Sequence, residues 1–141
     1  MDPQSLKAAG WKAIEVGGFT GEAGPFWVRD KGSECLLGLI VEERHTNSNL
    51  GTLHGGVLMT FADVAFGYGA VKSIGTQLCA TAQLQYQFVS LARIGEFVTC
   101  RPELVRRTSQ LVFMRGLFCV GDKTIGSADG IWKVLEPRTD A

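Results

Sequence analysis

Two short stretches of this sequence hold residue types that can do chemistry on a carbonyl group, and they stand eight residues apart. The first is Asp63, the one charged side chain between His54 and Lys72, set in a run of apolar and small residues. It lies about two turns inside a helical pattern, too deep to serve as an N-cap. A buried carboxylate without a partner is costly, so its retention there marks it as a candidate general base or nucleophile at a cleft. The plainer alternative is that it reaches solvent or bonds the backbone of a neighbouring strand. The second stretch is Gly51-Thr52-Leu53-His54-Gly55-Gly56 at the entrance of the same helix. Adjacent glycines let a ligand approach the backbone closely, and free amides at the positive end of a helix can polarise a carbonyl oxygen. Two glycines before a helix are also ordinary turn chemistry.

The spacing of the two stretches has a consequence for assembly. Eight residues of helix separate Gly55 from Asp63 by about 12 Å along the axis, too far for one carbonyl to engage both. Two copies with their helices antiparallel across a two-fold axis would bring Gly55 of one to Asp63 of the other and form two equivalent sites. The expectation is therefore an obligate homodimer with shared sites.

The elements that must position these residues follow from the pattern along the chain. Residues 1–24 read as a short amphipathic piece, Pro3 to Ala9, followed by a glycine-rich loop region. Phe26 to Arg29 and Cys35 to Val41 flank a Lys31-Gly32-Ser33 turn and read as a hairpin. From Gly56 to Lys72, Leu58, Phe61, Ala62, Ala65, Phe66 and Gly69 recur at three-to-four spacing, which predicts one long core helix covered on nearly every side. Leu78 to Val89, Phe97 to Arg106, Leu111 to Val120 and Ile125 to Leu135 are β-rich, and their short links predict an antiparallel meander. The fold class is α+β: a curved antiparallel sheet wrapped around one central helix, in a single domain over residues 1–141.

Composition narrows the function classes. The 141 residues are 45% hydrophobic and 20% charged, as expected of a chain that folds around a core. The 14 basic and 14 acidic residues give zero formal charge, so no overall field would draw the chain to nucleic acid or to an anionic membrane. Cys35, Cys79, Cys100 and Cys119 lie in apolar runs without a C-x-x-C pair and read as core thiols. Asp63 and the glycines of the Gly55–Val71 stretch argue against a membrane span, and the start lacks a secretory pattern, so a cytoplasmic location is expected.

The run from Asn49 to Gly67, Asn-Leu-Gly-Thr-Leu-His-Gly-Gly-Val-Leu-Met-Thr-Phe-Ala-Asp-Val-Ala-Phe-Gly, resembles the signature of the PaaI-type hot-dog-fold acyl-CoA thioesterases. The strand layout agrees over nearly the whole chain. The resemblance implies a hot-dog fold, assembly as dimers that commonly pair into tetramers, and hydrolysis of an acyl-CoA with no separate cofactor, coenzyme A being part of the substrate. It implies that Asp63 activates water or attacks the thioester, that the Gly55 N–H binds the thioester oxygen, and that His54 shapes the turn. Thr81, in Cys79-Ala80-Thr81-Ala82-Gln83, matches a Ser or Thr that orients the nucleophilic water. Where the family tends to place Asn, this chain has Ser48 between Asn47 and Asn49, and a one-residue loop insertion would let Asn47 take that part. Gly56, Ser48 and Asn49 are then expected beside the substrate, and Arg106, Arg107 and Lys72 are candidates for the nucleotide phosphates. Trp27, Trp132, Phe88 and Phe113 are candidates for an acyl pocket, although aromatic residues in strands are more often plain core.

Other chemistries find less footing. There is no G-x-S-x-G elbow, and His45 and His54, the two histidines, lack a metal-ligand spacing, so no metal is expected. Gly121-Asp122-Lys123-Thr124 reads as a hairpin turn, not a phosphate loop. Two readings compete with hydrolysis. One is an acyl-thioester dehydratase or hydratase, which typically needs a helical His that this chain lacks. The other is a non-catalytic acyl-CoA-binding protein, for which a buried acid would be of little use.

Overall fold

The computed structural model describes residues 1–75 and 78–136. In chain order its elements are α1 (Pro3–Ala8), β1 (Lys12–Ala13), α2 (Gly18–Ala23), β2 (Phe26–Asp30), β3 (Cys35–Ile40), a 3-10 turn (Glu43–His45), α3 (Gly55–Ile74), β4 (Leu78–Phe88), β5 (Phe97–Cys100), β6 (Glu103–Arg107), β7 (Leu111–Val120) and β8 (Lys123–Leu135). The strands form one antiparallel sheet in the order β1-β2-β3-β5-β7-β8-β4, with β6 pairing β7 to one side. The sheet wraps α3, as the sequence pattern predicts, and the β2–β3 hairpin pairs Phe26 with Leu39 through Asp30 with Cys35.

Helix α3 begins one residue before and ends two residues after the expected Gly56–Lys72 span. It stops where Gly75 turns to φ +80°, a conformation that glycine adopts without steric cost. Leu58, Phe61, Ala62, Ala65, Phe66, Ala70 and Ile74 are its buried face. Phe61 and Phe66 meet Phe118 edge-on, with ring centroids 5.3 and 5.9 Å apart, which locks the helix onto β7. By length and composition α3 could cross a membrane, but its apolarity is accounted for by the sheet of the same chain that closes over this face.

Two expectations fail. The helix is not covered on nearly every side: Asp63, Val64, Gly67 and Tyr68 are only half-buried and Val71 is exposed. A sheet curling from one side reaches only one face of a cylinder, and the opposite face stays open. The last three of the four later segments pair in succession, β5 and β6 with β7 and β7 with β8, but the first does not begin the meander. β4 pairs only with β8 at the far edge, and β5 inserts between β3 and β7. The link 89–96 is spent crossing the sheet end rather than making a hairpin. On the way Ala92 O accepts from Leu53 N–H at 2.9 Å and Glu96 O from Val41 N–H at 2.9 Å. The expected Phe97–Arg106 strand also divides into β5 and β6 around Pro102, which has no N–H to give to a ladder.

A bulge in β4 decides which of its side chains meet the helix. Thr81 pairs with Trp132 but Gln83 with Ile131, so Ala82 is the extra residue. Before it Cys79 and Thr81 share the face of buried Val134 and Trp132; after it Leu84, Tyr86 and Phe88 do. Without the bulge the inward set would continue as Gln83, Gln85 and Gln87.

Candidate active site

The N-terminus of α3 is capped by its own preceding side chain. His54 is the N-cap in extended conformation, and its Nδ1 accepts from Gly56 N–H at 2.8 Å. Its carbonyl accepts from Val57 N–H at 3.0 Å and Leu58 N–H at 3.2 Å. Of the opening amides this leaves Gly55 N–H without an acceptor among the described residues. Gly55 therefore offers the free donor at the positive helix end, while the Gly56 amide is already committed to the cap. Because Nδ1 accepts, the proton of a neutral His54 ring sits on Nε2. His54 is exposed, as befits a cap and not a core residue.

A second histidine fixes the approach to this turn, a role the sequence carried no signal for. His45 is buried, with 2% of its surface exposed. Its Nδ1 accepts from Glu42 N–H at 3.0 Å, its Nε2 lies 2.7 Å from Ala23 O, and its carbonyl accepts from His54 N–H at 2.8 Å. With Nδ1 accepting, Nε2–H donates to Ala23 O, so the ring ties the end of α2 to the loop before α3.

Between these histidines Asn47 O accepts from Gly51 N–H at 3.1 Å, and Asn47 N–H donates to Thr52 O at 2.8 Å. Gly51, at φ +63°, closes the turn. Asn47 is half-buried at its base, while Ser48 and Asn49 occupy the exposed tip.

Asp63 sits two turns on, half-buried, and not in the unpartnered state that the sequence pattern alone suggested. Thr81 Oγ1 donates to its Oδ1 at 2.5 Å. The contact exists because Thr81, just ahead of the bulge, shares the inner face of β4 with Cys79, opposite the helix. Burial, and after it the negative charge of Asp63, pushes the Cys79 thiol above its ordinary value, so this neighbour stays protonated and is no competing nucleophile. Asp63 opens onto a groove of about 540 Å³ along the exposed face of α3.

The other sequence candidates lie apart. Lys72 lines the far end of that groove, where it is paired with Asp30 and donates to Gly32 O at 2.7 Å. Arg107 Nη1 donates to Ser73 O at 3.1 Å near the end of α3, and Arg106 is exposed on β6. Ser73 is eighteen residues from Gly55, about 27 Å along the helix, so within one chain these cations do not meet the capped turn. Trp132 is buried core and Trp27 packs with Leu6 and Trp11 in a second cluster, so neither lines the groove. Phe88 is different. It is 57% exposed, packs at a tilt against Tyr86 with ring centroids 4.6 Å apart, and would lie 3.1 Å from a Cβ on Gly55. It therefore flanks the free amide.

The geometry has counterparts among known proteins. A profile of the thioesterase superfamily matches residues 50–126, which include the capped turn, Asp63 and Thr81. The chain belongs to that superfamily. A curated relative, "Putative esterase PA0474" of Pseudomonas aeruginosa, is 31% identical over 111 residues, covering 77% of this chain and 82% of its own. Three solved structures share the fold. Zebrafish thioesterase superfamily member 2 superposes with a TM-score of 0.75 at 22% identity, over 94% of both chains. A hypothetical thioesterase of Streptococcus pneumoniae, solved with coenzyme A, gives 0.73 at 19%, over 84% of this chain and 92% of its own. The PaaI protein of E. coli, from the phenylacetic acid degradation operon, gives 0.68 at 17%, over 96% and 86%. The antiparallel sheet around one long helix is thus the hot-dog fold of the PaaI-type thioesterases.

Proposed function

We propose that this protein hydrolyses acyl-CoA thioesters at sites shared between two subunits. The observation that carries the reading is the pairing of a Thr81-bound Asp63 with a free Gly55 amide on one helix, in a chain of the thioesterase superfamily. Asp63 acts in one of two ways. As general base it takes a proton from water, whose oxygen adds to the thioester carbon; as nucleophile its own oxygen adds first, and water then releases the acid. Either way negative charge gathers on the carbonyl oxygen, which the Gly55 amide stabilises, and the C–S bond breaks as the thiol leaves with a proton. The coenzyme A in the pneumococcal relative supports this choice of substrate.

The shared site rests on distance and on unpaired surface. Asp63 and Gly55 are about 12 Å apart along α3. The open helix face and the edge strand β4, with Leu78 70% exposed, are surfaces that a second copy would cover. Lys72 is committed to Asp30 and Gly32 O, which leaves Arg106 and Arg107 on β6 as the cations for the coenzyme A phosphates. Pairing of dimers into tetramers and a reducing cytoplasmic setting complete the proposal, the latter supported by the free Cys35, Cys79, Cys100 and Cys119.

The test is release of free thiol from short-chain, long-chain and aryl-acetyl CoA esters by the wild type and Asp63→Asn. Asparagine has nearly the same shape but neither accepts the proton nor attacks, so turnover falls by roughly 10² or more while KM changes little. Equal rates for the two proteins would remove Asp63 from the reaction.

A further inference from the structure

The open face of α3 carries a glycine that packing does not explain. Gly67 and Gly69 both lie in the helix interior, where glycine is unfavourable relative to alanine because its backbone loses more freedom on folding. At Gly69 the reason is plain: an added Cβ would stand 2.6 Å from Met114 Cε and 3.0 Å from Pro102 Cβ. At Gly67 it would meet only Trp132 Nε1, at an ordinary 3.8 Å, and the backbone there is not left-handed. The chain's own packing would accept alanine at 67.

What Gly67 does border is the groove that begins at Asp63. Asp63, Gly67 and Val71 follow one another at i, i+4 and i+8, one line along the helix surface about 12 Å long. Val64 flanks this line, and Ile14 and Val16 of the N-terminal segment face it. The charged side chains in the lining, Asp63 and Lys72, stand at its two ends; between them the lining is mainly apolar, its polar side chains being Thr20 and Tyr68, whose hydroxyl donates to Asp30 Oδ2 at 3.2 Å. Its volume of about 540 Å³ is within the usual range for small-molecule sites, roughly 300–1,000 Å³.

We propose that this groove receives the acyl part of the thioester, a medium-length unbranched chain, and that Gly67 sets the length it accepts. The inference rests on the thioesterase reading above for the position of the carbonyl at Asp63. The chain then runs over the bare backbone of Gly67 toward Val71, against Ile14 and Val16, and stops at the Lys72–Asp30 pair, where further methylenes would displace a hydrogen-bonded ion pair. A side chain at 67 would fill the middle of this path and leave the carbonyl end open.

The test compares wild type, Gly67→Ala and Gly67→Leu by kcat/KM on acetyl-CoA and octanoyl-CoA, by association state in solution, and by calorimetric binding of the non-hydrolysable S-octyl thioether of coenzyme A against coenzyme A itself. The alanine variant guards against a leucine variant that fails to fold. The expected result is a fall in the octanoyl-to-acetyl ratio of about tenfold or more in Gly67→Leu, a smaller fall in Gly67→Ala, and an unchanged association state. Binding of the S-octyl compound should weaken in parallel while that of coenzyme A does not. An unchanged ratio overturns the proposal, as does equal slowing of both esters with loss of self-association, which would make Gly67 a residue of helix packing between subunits. If the wild type cleaves neither ester yet binds the S-octyl compound in a Gly67-dependent way, the groove stands and the hydrolytic reading fails.

Discussion

Replacing Thr81 by valine keeps a β-branched side chain on β4 and deletes one hydroxyl, so it isolates the contact that holds Asp63. That hydroxyl donates to Asp63 Oδ1 at 2.5 Å. A hydrogen bond to a charged group contributes about 1.5–3 kcal/mol, and here water can compete because Thr81 is exposed and Asp63 half-buried, so the lower end applies. If the bond orients the carboxylate in the transition state, about 1.5 kcal/mol corresponds to a loss of roughly tenfold in kcat. KM should hardly move, since Thr81 acts through Asp63. Thr81→Ser, which restores a hydroxyl, should recover most of the rate. The unfolding free energy of Thr81→Val should fall by no more than about the same 1.5 kcal/mol, which leaves the fold intact for the rate comparison. The decisive assay is a double-mutant cycle in thiol release: added to Asp63→Asn, the valine should cost little more. A full tenfold loss in the Asp63→Asn background, or no loss in the wild-type background, would refute the reasoning.

Two further predictions concern the frame. A methyl at Gly126 would stand 1.9 Å from Tyr86 Oη, and the Tyr86 ring is held between Phe88 and Phe118 at 4.6 and 5.2 Å, so Gly126→Ala should lower the unfolding free energy by about 1–3 kcal/mol in denaturant titrations; an unchanged midpoint would contradict this. The hydrogen bond from Lys72, followed by that from Gly32 N–H, holds the Asp30 carboxyl below its ordinary 3.8. A depressed carboxyl stabilises the fold fully above that value and loses its contribution as pH falls toward the folded value. The gap in melting temperature between wild type and Asp30→Asn should therefore narrow as the pH drops below 3.8, and a constant gap would show that Asp30 contributes nothing through its charge.

The parts of the fold that were legible in the sequence are those set by local period. The alternation of Phe26 to Val41 and the three-to-four spacing around Phe61 and Phe66 reflect burial on one face, and the hairpin and α3 appear where that pattern put them. Pairing across the sheet was not legible. β4 looks like the first strand of a meander, yet its partner is β8, because the residues after it bond to Leu53 and Val41 instead of turning back. The bulge at Ala82 has no signature in Ala80-Thr81-Ala82, yet it decides that Leu84, Tyr86 and Phe88, and not Gln83, Gln85 and Gln87, follow Thr81 on the inner face. The resemblance to a family supplied Thr81; periodicity could not. Pattern reasoning also overstated the isolation of Asp63, since a helix in one sequence cannot reveal a hydroxyl arriving from a strand eighteen residues later. The tie made by His45 has no local signature for the same reason, one of its two ring partners being the distant Ala23.

The claim that each site draws Asp63 from one subunit and Gly55 from another is tested by mixing two inactive proteins. Asp63→Ala removes the carboxylate. Gly55→Leu keeps the helix, because the ring its Cβ would press on belongs to the exposed Phe88, and it blocks the amide. After subunit exchange of equal amounts, half the dimers are mixed and each mixed dimer has one intact site of two, so thiol release should return to about a quarter of the wild-type rate. A mixture as inactive as its parts, in dimers shown to have exchanged, would contradict the shared site.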